Sequence, residues 1–184
     1  MSAGRSSPMT QPVVANDGPA TALVIGFGNL DRSDDGIAYH VVNELRKRLG
    51  RAPLGEDDTG LEALGWGMDT IFVPQLVPHL INVAALYPKL VFVDAHVYPD
   101  NQGLHLAQVS PASGSSPFAH QLTPPFFLAL LDSLCRHRPE STAISLRGWS
   151  FDFGRTLSTS TEALINPAVE SIIRLLLSNP LPPR

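Results

Sequence analysis

The sequence predicts an α/β sandwich around a mostly parallel sheet of about five strands, on three observations. Short apolar runs rich in β-branched residues alternate with stretches whose apolar residues recur every three or four positions, the periods of strand and amphipathic helix. Gly, Pro and Asp cluster between these runs, where turns belong. A chain of 184 residues suits one domain, large enough to bury a core without disulfide staples.

Residues 21–26 (TALVIG) form the first strand, apolar and halted by glycines. Residues 34–49 follow as a helix, with Ile37, Val41, Leu45 and Leu49 along one stripe. The Gly-, Asp- and Glu-rich stretch 50–69 reads as loop. A second strand at 70–73 leads to a helix over 77–87. Residues 90–94 (LVFVD) are the clearest buried strand and end in a carboxylate. Residues 104–109 alternate as an edge strand would, and 114–119 are loop. The 124–137 helix carries Phe127, Leu128, Leu131 and Leu134, and 143–146 is a fifth strand. The last helix spans 161–178, with Asn166 and Pro167 either starting it or kinking it. Gln-Leu-x-Pro recurs at 75–78 and 121–124, too short a match to argue a duplication.

Residues 1–20 are small, polar and Pro-rich and predict a disordered tail; 179–184, with three prolines, predict a second. Residues 21–178 are then the one folded domain. Nothing in the first segment has the apolar run of a signal peptide, and no stretch is long enough to span a membrane, so a cytoplasmic protein is expected. Thirteen Lys and Arg against 17 Asp and Glu, a net charge of −4, give no footprint for nucleic acid. The single cysteine, Cys135, excludes an internal disulfide and a Cys-cluster metal site. Charged residues are only 16%, which predicts a large buried fraction or an apolar docking surface.

In parallel sheets ligands gather at the carboxyl ends of strands, so the polar residues there carry the functional expectation. GFGNLDRSDDG (26–36) joins the first strand to the first helix. A dinucleotide loop would need Gly where Asp31 stands, and Asp34 and Asp35 would repel phosphate. Tight turning at Gly26 and Gly28 with a helix cap from Ser33 or Asp34 accounts for one acid, not three. Three clustered carboxylates fit a cation or a cationic group better. Asp94 ends its strand beside that turn, either as an ordinary turn acid or as a functional one. His120, in the loop before the 124–137 helix, is ordinarily just exposed, yet with Asp94 and one carboxylate of the Asp34–Asp35 pair it could meet in one crevice. One imidazole and two carboxylates suit Ni, Zn, Fe or Mn, and three ligands leave open positions. His96 is a reserve ligand close to Asp94. Cys135 reads as packed, and neither a His-Glu-x-x-His helix nor a Gly-x-Ser-x-Gly elbow occurs.

Taken together, VIGFGNLDRSDDGIA (24–38), LVFVDA (90–95), AHQL (119–122) before an apolar helix, and NPAVESI in the last helix resemble the nickel–iron hydrogenase maturation endopeptidases. The segments recur in the family's order across 21–178. The resemblance implies a twisted sheet between helix layers, a three-layer sandwich with helices on both faces. It implies an enzyme that removes the C-terminal extension of a hydrogenase large-subunit precursor after nickel insertion. Asp35, Asp94 and His120 fall on the family's metal-binding positions and are the implied catalytic and metal-contacting residues. Asp35 stands where members carry Glu or Asp; Ala38 departs from the usual Gly. No permanently bound cofactor is expected, because nickel would arrive with the substrate. Two other readings stay open at this stage: a metal-dependent hydrolase holding its own Zn or Mn, and a non-catalytic docking module for a metalloenzyme subunit.

Overall fold

The structure, a computed structural model, describes residues 21–98, 103–113 and 122–177. The expected tails at 1–20 and 179–184 and the expected loop at 114–119 lie outside the described residues. Five strands form one sheet: β1 (Ala22–Phe27), β2 (Met68–Val73), β3 (Lys89–His96), β4 (Leu104–Gln108) and β5 (Glu140–Arg147). Their order is β2-β1-β3-β5-β4, and only β4, on the edge, runs antiparallel to its neighbour. The helices are α1 (Ile37–Arg48), α2 (Ile81–Ala84), α3 (Pro124–Cys135), α4 (Thr159–Glu162) and α5 (Ile165–Leu177).

Pleat alternation divides the core in two. Val24 of β1 and Val91 and Val93 of β3 face α1 and α5, where Ile37, Val41, Leu45, Val169 and Ile172 are fully buried. Leu23, Ile25, Leu90 and Phe92 point the other way, onto Leu80 and Ile81 near α2 and onto Phe127 and Leu131 of α3. Phe92 meets Phe127 edge to face at a centroid distance of 5.8 Å. Helices on both faces make the expected three-layer sandwich, and the helix stripe at 37–45 packs as its period requires.

β2 and β5 begin two and three residues earlier than expected and α3 ends at Cys135, and four further boundaries differ. The first helix is preceded by a 3-10 turn, Ser33–Gly36, and becomes α-helical only at Ile37. The 77–87 helix is a 3-10 turn, Pro78–Leu80, followed by the single turn of α2; Leu86 and Tyr87 donate i−3 bonds that tighten its end before Pro88. β3 does not stop at Asp94 but stays paired with β5 as far as His96↔Arg147. The last helix divides into α4 and α5, because Pro167 has no N–H to give the Ala163 carbonyl. Pro167 is therefore the third residue of α5, and Asn166 accepts a bond from Arg48 at 2.9 Å instead of capping.

Candidate active site

The strand order fixes where a site can form. From β1 the chain crosses to β2 on one side, while β3 adds on the other, so the order reverses between β1 and β3. A crevice opens at such a switch point, beyond the carboxyl ends of the strands. Both carboxylates singled out above sit there, Asp35 in the turn after β1 and Asp94 near the end of β3. They line two adjoining lobes, of about 670 and 270 Å³. Arg32, Ser145 and Phe151 wall the larger lobe, and Gln75, Leu122 and Thr123 the smaller. Both Gln-Leu-x-Pro segments thus contribute to one wall.

Asp35 is aimed by its own turn. Gly28 lets the chain pass so close that a Cβ there would lie 2.1 Å from the Asp35 carbonyl oxygen. One residue on, the Asn29 N–H donates to Asp35 Oδ2 at 2.9 Å, and half-buried Asp35 is held facing the crevice. Asp94 shares the pleat face of Phe92, toward α3, and lies past the end of the apolar packing. Burial drives its carboxyl up to about 6; a hydrogen bond from Ser145 opposes that shift, and the Asp35 charge adds to it. Two acids facing one open crevice form a site suited to a cation or to a proton transfer near neutrality.

The other two acids of the 31–35 run do not belong to this pair: Asp31 holds a cationic group, as clustered carboxylates were expected to, and Asp34 holds backbone. Asp31 accepts from Arg155 Nε at 2.7 Å, and the same guanidinium also bonds Glu56. Asp34 is fully buried and neither it nor Ser33 caps a helix with its side chain. Its carboxylate accepts from the Trp149 and Ser150 N–H groups, each at 2.8 Å, and from the Ser158 N–H and Oγ–H, each at 2.7 Å. Burial opposes ionisation of Asp34, but these hydrogen bonds outweigh it and hold the carboxyl below its usual range. Asp34 ties the 149–158 loop to the turn that presents Asp35.

His120 lies outside the described residues. Among the described residues no three His, Cys, Asp or Glu side chains gather as a metal-binding group. His96, the reserve ligand, borders the larger lobe beside Asp94, and its Nδ1 lies 2.9 Å from Ser145 Oγ. Cys135, half-buried at the end of α3, packs against the second core as expected. Ser145, Arg32 and Phe151 were not singled out from the sequence. A lone Ser between Ile144 and Leu146, at the carboxyl end of a buried strand, is the one signal that could have found a site residue here.

The mostly parallel five-stranded α/β sandwich is a fold shared with solved structures. A hydrogenase-maturating endopeptidase, HybD, from E. coli superposes with a TM-score of 0.63 and 19% identity, covering 86% of this chain and 93% of that one. The NiFe hydrogenase maturation protease HycI from Thermococcus kodakarensis KOD1 gives 0.60 and 19%, over 88% and 95% of the two chains. HybD from Thermococcus kodakarensis gives 0.58 and 19%, over 85% and 99%. The fold of this protein is that of the hydrogenase maturation proteases, and at such identity the likeness is one of fold. No protein-family profile and no curated sequence matches the chain. No helix among the described residues is long and apolar enough to cross a membrane.

Proposed function

We propose that this protein is an endopeptidase that trims the C-terminal extension from the large-subunit precursor of a nickel–iron hydrogenase once nickel is in place. The observation that carries the reading is the meeting of Asp35 and Asp94 in one open crevice, at the switch point of a fold shared with maturation proteases. The nickel is part of the substrate. Two carboxylates, joined by the His120 imidazole, offer a borderline cation the oxygen and nitrogen donors it prefers and leave positions free for what it already carries. Leu122 and Thr123, two and three residues beyond His120, line the smaller lobe, which supports bringing His120 to the same crevice.

Binding the substrate's metal would place the scissile peptide against the acids, so cleavage depends on a loaded precursor. Water is the nucleophile. One of the two carboxylates takes a proton from that water and returns it to the leaving amine. The setting proposed is the cytoplasm, where lone Cys135 stays a thiol.

The test is incubation with nickel-loaded and nickel-free precursor followed by intact mass. Loss of a C-terminal fragment from the loaded form alone is expected, and Asp35→Asn, Asp94→Asn and His120→Ala each abolish it while staying folded. Unimpaired trimming by all three variants, or equal trimming of both precursors, overturns the reading.

A further inference from the structure

The mechanism above leaves unused two polar groups beside Asp94. Ser145 is the register partner of Asp94 across β3 and β5, so their side chains leave the sheet on the same face. Ser145 lines the larger lobe and hydrogen-bonds the Asp94 carboxyl. Its Oγ also lies 2.9 Å from Nδ1 of His96. The His96 ring is buried and held from two sides: Tyr98 stacks on it at 5.9 Å, and His105 meets it edge-on at 5.1 Å.

Donor counting fixes the polarity of this row. An ionised carboxylate only accepts, so the one Ser145 hydroxyl proton points to Asp94. The Ser145 oxygen then receives the proton of His96 Nδ1–H, which selects that tautomer. The order Asp94, Ser145, His96 differs from a nucleophilic triad, in which imidazole stands between serine and acid and draws off the serine proton. Here the serine proton is directed at a carboxylate, so Ser145 is not made a nucleophile. What the row does is occupy one lone pair of Asp94 and fix the rotation of its carboxyl group.

We propose that Ser145 and His96 are positioning residues that orient the Asp94 carboxylate toward the bound precursor, His96 acting through Ser145. The proposal rests on Asp94 being a working carboxylate, as argued under Proposed function.

The test compares the full chain with Ser145→Ala, Ser145→Thr, His96→Phe and His96→Asn on nickel-loaded precursor. Ser145→Ala is expected to lower kcat about tenfold with KM within about twofold, since an orienting bond to a charged group is lost while the rest of the contact surface stays. Ser145→Thr, which keeps the hydroxyl, should return kcat to within about threefold of the parent. His96→Phe should follow Ser145→Ala, and His96→Asn, which keeps an N–H near the Nδ1 position, should lie between. The carboxyl 13C resonance of Asp94 in the enzyme alone should move in Ser145→Ala and return in Ser145→Thr. A Ser145→Ala enzyme with the parent's kcat and an unmoved Asp94 signal overturns the proposal, as does Ser145→Thr failing to rescue either readout. If the unaltered protein leaves loaded precursor uncut, the functional reading fails, and the Asp94 resonance still decides whether the row orients that carboxylate.

Discussion

Three carboxylates within five positions do three different things here, and what each faces decides which. Asp31 meets a guanidinium at the surface, Asp34 meets three backbone N–H groups and a hydroxyl in the interior, and Asp35 meets its own turn and the crevice. The sign of the Asp34 shift gives a testable pH dependence. Its folded pKa lies below the unfolded value of 3.8, so the stabilisation is complete above that value and is lost as pH falls through the folded pKa. Asp34→Asn turns an acceptor oxygen into an amide N–H₂ facing backbone N–H groups, at a cost of about 1–3 kcal/mol for each donor stranded. Thermal unfolding at pH 7 should show a loss of at least about 2 kcal/mol, and the variant should lack part of the parent's fall in stability below about pH 4. A variant as stable as the parent at pH 7 would mean that the loop is held by something other than this carboxylate.

At the scale of elements, the 3-10 turn Ser33–Gly36 is the part whose geometry the crevice depends on, and Gly28 is where the chain leaving β1 passes closest to it. A methyl at Gly28 meets backbone, not a flexible side chain, at 2.1 Å, so the turn itself must move. Gly28→Ala should therefore cost about 2 kcal/mol or more in chemical unfolding and reduce trimming more than tenfold, because the Asn29-to-Asp35 bond is displaced with the turn. Parent-like trimming would show that Asp35 does not need this turn. Elements built on local periodicity were legible in the sequence: the Ile37, Val41 and Leu45 stripe, the LVFVD strand and the alternating edge strand at Leu104–Gln108 all lie where their patterns put them. That Asp94 and one acid of the Asp34–Asp35 pair stand at the carboxyl end of the sheet was legible, because strand-end position and residue type are local signals; it was the resemblance, not the spacing, that singled out Asp35. What was not legible is contact between distant segments. The groups that claim Asp34 lie 115 to 124 residues away in the chain, and Ser145 reaches Asp94 only through the pairing of β3 with β5. Without those partners, Asp34 and Asp35 look alike.

For the whole molecule, the sheet supplies rigidity and the switch point supplies the opening. Packing both faces of the sheet leaves the carboxyl ends of β1 and β3 as the place where polar side chains stay accessible between two cores. Asp35 and Asp94 line this opening, and the proposed third donor, His120, would still leave positions free for ligands that the precursor brings. A protein that tests its substrate for nickel should bind metal weakly by itself and strongly only as part of the substrate complex, since the precursor supplies the remaining ligands. Treating the purified protein with a chelator and then removing the chelator should leave trimming of a preloaded precursor within about twofold of the untreated rate. A hydrolase that carries its own zinc or manganese would lose more than tenfold under the same treatment and recover when that metal is returned. The comparison separates the two chemistries in one protein preparation: loss and metal-specific recovery would assign the metal to the enzyme, and an unchanged rate assigns it to the precursor.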